Sequence, residues 1–385
     1  MLNPFNPKYP VRPELFANRQ NEIERFRRDF KRTIDSKLPE NIAILGDWGV
    51  GKSSLAYKFM DIGAKSNVKA LSSGFGVPRT IKDVGEFCYL LLYKLNQDLI
   101  TSKGISSRLK DELLLWRTDQ LKLGPFTMQR NEKETPKIPI THLHSGLIDM
   151  WKSLHREGVE AVVLVVDDLH HLLQAVKGGI LDVRSIFQDL PRYNCNYQLV
   201  ITGYKALFSE IRELAEPMGR FFNTYEIKEF NKNEAKELIN TPIRAAGLDI
   251  KVTEDASDFV YEKTKGNPYF VSFFMQMLVE ERKKGVIDVQ FIKDRVSKIM
   301  SELEREKFEK DMSIASELER RVLKKMIDKQ EIVRLKDLCT GKDKTKVAKA
   351  LNRLVEKNLV VKVNRGEYKL YHPLFKEYLS SGRAK

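Results

Sequence analysis

The chain has 385 residues, of which 42% are hydrophobic and 31% charged, and a formal net charge of +14. That mixture excludes a disordered or fibrous chain, and at about 150 residues per domain it predicts two or three domains, each with its own core. No apolar run approaches the ~20 residues that cross a bilayer, and the N-terminus lacks the basic and apolar regions of a signal peptide, so no membrane partner is expected.

The first 20 residues are Pro-rich and extended, and residues 21–36 follow as a charged amphipathic helix with Ile23, Phe26, Phe30 and Ile34 on one face. Asn41-Ile42-Ala43-Ile44-Leu45 reads as a buried strand and Ser54 to Met60 as a helix. Between them, Gly46-Asp47-Trp48-Gly49-Val50-Gly51-Lys52-Ser53 fits the phosphate-loop pattern G-x-x-x-x-G-K-[S/T]. Glycines let successive N–H groups turn toward phosphate oxygens, and the helix N-terminus adds its positive end. Lys52 would reach the β- and γ-phosphates of ATP, and the Ser53 hydroxyl would ligate Mg²⁺, with Ser54 completing the cradle. The competing reading is an ordinary Gly-rich turn, which the strand–loop–helix context disfavours.

Val68 to Leu71 reads as a second strand and Val84 to Leu99 as a helix with an apolar face. Residues 101–140 are the least regular: one helix at 107–117, then a polar, turn-rich stretch read as an exposed insertion or hairpin. A helix at 142–156 leads into Ala161-Val162-Val163-Leu164-Val165-Val166-Asp167-Asp168. Continuous β-branched residues ending in acids mark a fully buried parallel strand. Asp167 would hold Mg²⁺, directly or through water, and Asp168 would orient or deprotonate the attacking water. The alternative is a turn whose acids cap helices. Asp168 stands where many such ATPases carry Glu, which shortens its reach. His170 and His171 have no metal-ligand spacing and are read as helix residues.

Next come a helix at 182–190, a strand at 198–202, a helix at 205–215 and a short strand at 224–227. Thr202 ends its strand where a polar side chain would meet the γ-phosphate or the lytic water. Arg220 precedes the last strand, where it would reach a neighbouring subunit's γ-phosphate; bracing the surface or core is the alternative. Strands alternating with helices predict a doubly wound α/β domain. From residue 233 to about 309 the pattern turns purely helical, at 233–246, 254–264, 268–284 and 288–309. Cys88, Cys195 and Cys339 are few and widely spaced, suggesting neither disulfides nor zinc and a reducing cytoplasm.

The charge is uneven: residues 315–385 hold 19 Lys/Arg against nine Asp/Glu. A localised basic domain suits nucleic acid, and a solubilising surface is the alternative.

In combination these features resemble the archaeal-type ATPase family, in the STAND branch of the AAA+-related P-loop ATPases and close to the origin-recognition initiators. The likeness runs from Asn3-Pro4-Phe5 and Pro13-Glu14-Leu15-Phe16-Ala17-Asn18-Arg19 through the phosphate loop. It continues in Gly266-Asn267-Pro268-Tyr269, similar to the family's lid motif, and ends in Tyr371-His372-Pro373-Leu374-Phe375, similar to its winged helix. It implies an AAA+-like core with a parallel sheet (1–230), a helical lid (231–312) and a winged helix (313–385). It also implies that Asn18 and Arg19 lie by the adenine and Pro268 in the lid. Ala17-Asn18 replaces the usual Val-Gly, a departure that bears on the adenine contacts. The lack of a lid arginine after Gly266 favours the STAND side.

Within 315–385 the pattern gives helices at 317–328 and 335–339 and a third, capped by Asp343, running to Lys357. Val347, Leu351, Leu354 and Val355 share its inner face, whereas Lys346, Lys349, Asn352 and Arg353 lie away from it. Lys342, Lys344 and Thr345 cluster at its N-terminal end, where a recognition helix meets duplex DNA. Strands at 359–363 and 368–371 form a wing with Arg365 at its tip. Two functions stand: a slowly hydrolysing, nucleotide-switched ATPase that binds DNA, or a signalling or defence ATPase whose winged helix contacts a protein partner. Arg220 would mediate homo-oligomers in either.

Overall fold

The computed structural model describes residues 3–122, 136–176, 178–204, 218–339 and 343–381. They divide into two bodies. The first comprises Pro10–Gly46 and Gly51–Lys228, and the second Met1–Tyr9, Asp47–Val50 and Glu229–Lys385.

The first body is built on a five-stranded sheet of β1 (Ile42–Leu45), β2 (Ala70–Gly76), β3 (Ala161–Asp167), β4 (Tyr197–Gly203) and β5 (Asn223–Glu226), in the order β2-β3-β4-β1-β5. Every pairing is parallel. β1, β3 and β4 are buried along their whole length, as the apolar runs of β1 and β3 require, and β4 also buries the polar Gln198 and Thr202. β4 lies between β1 and β3, so the tip of β3 and Gly46 after β1 both face residues at the end of β4.

The second strand runs to Gly76 rather than stopping at Leu71. Its Ser72-Ser73-Gly74 looks like a turn in sequence, but Ser72 Oγ donates to Met60 O (2.9 Å) and Ser73 Oγ to Asp98 (2.8 Å), so the hydroxyls are satisfied inside the sheet. The described part of the 101–140 stretch is partly core. Its helix spans Ser107–Lys122, and Ile105, Leu109, Leu113 and Ile138 are buried in the core, where Asn96 Nδ2 donates to Leu113 O. Apolar residues one helical turn apart bury that face. Residues 123–135, and the helix expected at 205–215, lie outside the described residues.

The second body is not purely helical. β6 (Ile250–Val252) and β7 (Gly285–Ile287) form a parallel pair between helices Lys232–Ala245, Glu254–Thr264 and Pro268–Glu281. The helix expected over 288–309 breaks at Asp294-Arg295, then passes through a π-helical turn at Glu304–Phe308 and runs on to Ser313. Beyond Ser316, which caps helix Glu317–Ile327 reciprocally with Glu319, come β8 (Val333–Arg334), helices Leu335–Leu338 and Lys344–Glu356, and a hairpin of β9 (Val360–Asn364) and β10 (Glu367–Leu370). The three strands pair in the order β8-β10-β9, and helix Pro373–Ser380 closes the chain. Residues expected as lid and as winged helix share one hydrophobic core, in which the Phe308 ring packs at a tilt against Phe375 and Tyr378. Among the described residues, no helix is long and apolar enough to cross a membrane.

Candidate functional site

Gly46 follows β1, and its N–H donates to Gly203 O at the end of β4 (3.3 Å). Helix Lys52–Ala64 starts from Gly51, held at φ 93° with no side-chain cap. Only glycine adopts that conformation without strain. A Cβ there would meet nothing within 4 Å, so the open side of the helix start remains available to an anion. Lys52 is only 9% exposed, and its Nζ donates to Gly46 O (3.0 Å).

Ser53 Oγ donates to Asp167 Oδ1 (3.0 Å), joining the first helical turn to the tip of β3. Thr202, fully buried at the end of β4, donates to the same carboxylate oxygen (2.5 Å), and its hydroxyl accepts the Asp168 N–H (2.9 Å). Its one hydroxyl hydrogen is thus directed at Asp167, and Thr202 braces both acids. Asp168 takes a left-handed φ of 55°, and its side chain remains 46% exposed. Desolvation, and next the neighbouring Asp167 carboxylate, push its carboxyl up to about 6, against the pull of Lys52 and Arg79.

Asn18 and Arg19 are consecutive left-handed residues, at φ 63° and 61°. Arg19 donates to Lys228 O and pairs with Glu22 at 3.7 Å, which ties the opening segment to the exit of β5. Ser54 Oγ accepts the Val11 N–H (3.2 Å), and Lys58 Nζ donates to Pro13 O (2.9 Å), so the extended N-terminal segment lies along this helix. Arg220 is exposed in the short helix Met218–Phe221.

In the second body, the loop residues Asp47–Val50 meet the start of helix Pro268–Glu281. Asn267 Nδ2 donates to Trp48 O (3.0 Å), and the Tyr269 N–H is shared by Gly49 O (3.2 Å) and Asn267 Oδ1 (3.1 Å). A Cβ on Gly49 would stand 2.6 Å from Asn267 Oδ1. Pro268 sets the first helical turn, but its neighbours make these contacts. Asn267 was legible beforehand only as part of the Gly266-Asn267-Pro268-Tyr269 motif, with no contact foreseen for it.

On helix Lys344–Glu356, Lys344, Thr345, Lys346, Lys349, Asn352 and Arg353 are all exposed, and Arg365 is exposed in the turn between β9 and β10. Arg353 also pairs with the buried Glu319 (3.3 Å), which Lys357 holds at 2.6 Å, so part of its charge serves the fold. Lys342 lies outside the described residues. Asp343 stands at the N-cap without a capping hydrogen bond from its side chain.

No family model matches the chain, and no curated protein does. Among solved structures it is similar to the Walker-type ATPase PABY2304 of Pyrococcus abyssi, at 17% identity and a TM-score of 0.56, over 95% of this chain and 96% of that one. It is also similar to the ORC2 protein of Aeropyrum pernix in ADPNP–ADP complexes, at 13% identity and a TM-score of 0.59, over 97% and 99%. The ORC1 protein of Aeropyrum pernix, solved in complex with DNA, matches at 14% identity and a TM-score of 0.52, over 96% and 94%. At these identities the likeness establishes the fold, that of the AAA+ P-loop ATPases, as the resemblance implied.

Proposed function

We propose that this chain is an ATP-binding, slowly hydrolysing switch that grips duplex DNA through its C-terminal winged helix. The observation that carries the reading is the 3.0 Å hydrogen bond from Ser53 to Asp167, because it brings the helix after the phosphate loop against the acidic tip of β3. A hydroxyl and a carboxylate at that separation are an all-oxygen pair suited to a hard cation, with phosphate and water completing the shell. Mg²⁺, when bound, would neutralise charge on the phosphate oxygens.

Lys52 exchanges its carbonyl partner for the β- and γ-phosphates, and the backbone N–H groups from Gly51 to Ser54 line the cradle. Ser53 and Asp167 hold the metal, Asp168 orients the attacking water, and Thr202 fixes both acids. Asn18 and Arg19 flank the nucleotide, and exposed Arg220 is offered to a neighbouring copy. Exposed cations on helix Lys344–Glu356 and at the β9–β10 turn support the DNA contact, as does the DNA complex of the Aeropyrum pernix ORC1 protein. A cytoplasmic setting fits this role.

One observation favours a second reading, a signalling or defence ATPase whose winged helix contacts protein. Tyr371 packs on Trp48 (5.7 Å between rings), and His372 bonds Thr264 O (2.9 Å), so the closing helix is anchored on the body that carries it.

The test is DNA binding in ATP and in ADP across a salt titration, for the wild type, Lys52→Ala and Lys344→Ala/Lys349→Ala. ATP should support binding, and Lys52→Ala should remove the nucleotide dependence. The double substitution should weaken binding across sequences and flatten the log–log salt slope by roughly two. Unchanged binding in the double variant rejects the DNA surface. Tightly held ADP with no DNA affinity selects the second reading.

A further inference from the structure

Four side chains of the first body follow one another beyond the end of the phosphate loop. Lys52 Nζ stands 5.2 Å from the centre of the Tyr204 ring. That ring lies 4.2 Å from the His170 imidazole, and His170 Nδ1 is 3.8 Å from Asp168 Oδ1. The last distance is too long for a hydrogen bond. His170 is 2% exposed, and its Nδ1 is buried with no hydrogen-bond partner among the described residues. Buried nitrogens are nearly always bonded, so an exception beside a carboxylate calls for a functional account.

The backbone of Asp168 cannot move to close the gap. Thr202 holds its N–H, and the residue is fixed at a left-handed φ. Its side chain is also one methylene shorter than Glu. On the other side, the His171 ring packs at 4.0 Å from His170, and Tyr204 closes the opposite flank. Burial, and next His171, Lys52 and Arg79, hold the imidazole down to about 3, so it is neutral and one ring nitrogen is a bare acceptor.

We propose that His170 Nδ1 and the Asp168 carboxylate together hold the water that attacks the terminal phosphoryl group, His170 supplying the contact that the shorter acid leaves unmade. The inference rests on the nucleotide site proposed above. With the imidazole proton on Nε2, the water donates one hydrogen to Nδ1 and the other to the carboxylate. Two acceptors of one water lie about 4 to 4.5 Å apart at ordinary hydrogen-bond lengths, close to the 3.8 Å here. Both hydrogens being taken, the oxygen lone pairs face the phosphorus. Attack forms the bond from water oxygen to phosphorus and breaks the bond from phosphorus to the bridging oxygen, which leaves with ADP. The water proton on the Asp168 side passes to that carboxylate and then to the released phosphate, so no other reactant is needed.

The experiment compares the wild type, His170→Leu, His170→Asn, Asp168→Glu and Asp168→Glu/His170→Leu. Each is measured for ATP affinity with a fluorescent analogue, for single-turnover hydrolysis of bound ATP and for thermal melting. His170→Leu should keep ATP affinity within about twofold while its single-turnover rate falls at least ~10-fold. His170→Asn, which returns a polar atom near Nδ1, should recover most of the rate. Asp168→Glu should make the rate insensitive to residue 170, because the longer acid reaches the water alone. If His170→Leu does not fold, His170→Phe keeps a ring on Tyr204 and carries the same comparison. A leucine or phenylalanine variant that hydrolyses bound ATP at the wild-type rate overturns the inference, as does a lost rate that Asp168→Glu fails to restore. A wild type that binds ATP but never turns it over also overturns it and leaves the nucleotide site standing, whereas a wild type that binds no ATP removes both.

Discussion

Lys307 Nζ lies 4.0 Å from the centre of the Trp48 ring, so an ammonium from the π-helical turn covers an aromatic residue of the phosphate loop. The same ammonium pairs with Asp311 at 2.6 and 2.7 Å, and Asp311 accepts the Tyr371 hydroxyl at 2.8 Å. Tyr269 meets Trp48 edge-on at 4.5 Å, which completes an aromatic box around the indole.

Because Trp48 is half-buried, Trp48→Ala should lower stability by about 2 kcal/mol, below the cost of emptying a fully buried site. Lys307→Met, which keeps the stem and removes the charge, should cost about 1 kcal/mol or less. Urea denaturation of the two variants and their double should show a coupling between the sites.

Thr202→Val preserves shape and removes the hydroxyl. The Asp168 N–H loses its acceptor and Asp167 loses a donor, so stability should fall by about 1–3 kcal/mol. Mg²⁺-dependent ATP binding should weaken in the same variant, and Thr202→Ser should restore both. Retained melting temperature and retained metal dependence in Thr202→Val would show that the brace is dispensable.

Two glycines with positive φ should answer differently to alanine. At Gly266, φ 71°, the new Cβ would stand 1.9 Å from Phe230 O, a backbone atom that cannot move aside. At Gly51, φ 93°, it would meet nothing within 4 Å. Gly266→Ala should therefore cost more than ~3 kcal/mol, and Gly51→Ala only the conformational penalty of about 1–2 kcal/mol. Thermal melts of the two variants should separate clearly.

His372 gives a pH dependence of known sign. Its Nδ1 accepts the Leu374 N–H (3.1 Å), its other nitrogen lies 2.9 Å from Thr264 O, and burial holds its pKa down to about 4. The unfolded chain, with an ordinary imidazole, takes up that proton first as pH falls, so this contribution is complete above about pH 6.5 and is lost toward pH 4. By pH 5 the loss should be about 2 kcal/mol. His372→Asn, which can still cap the last helix, should flatten the slope of stability against pH between 5 and 7, roughly by this amount.

Much of the first body is legible in sequence because its strands are long, apolar and bounded by glycine or acids. β1 and β3 announce themselves in this way, and so does the loop between β1 and its helix. β6 and β7 do not, since three-residue strands show no period. Serines hid the second half of β2, because the partners that satisfy them are distant in sequence. Within the site, residue types were readable and orientations were not. Thr202 stands at the foreseen strand end but spends its hydroxyl on the acids. His170 looked like one helix residue of a pair, and only its placement beside Asp168 and Tyr204 sets it apart. Asn267 and Lys307 come to the loop from more than 200 positions away, beyond any local pattern.

The π-helical turn at Glu304–Phe308 holds one more residue than an α-helical turn would. The wide turn absorbs that residue locally, so a single deletion here should restore α-helical winding and leave Phe308, Asp311 and Met312 on their inward face. What the deletion removes is the swelling that carries Lys307 to the indole. Chains one residue shorter at this point should therefore keep every later position in step and lose only the cation above the ring.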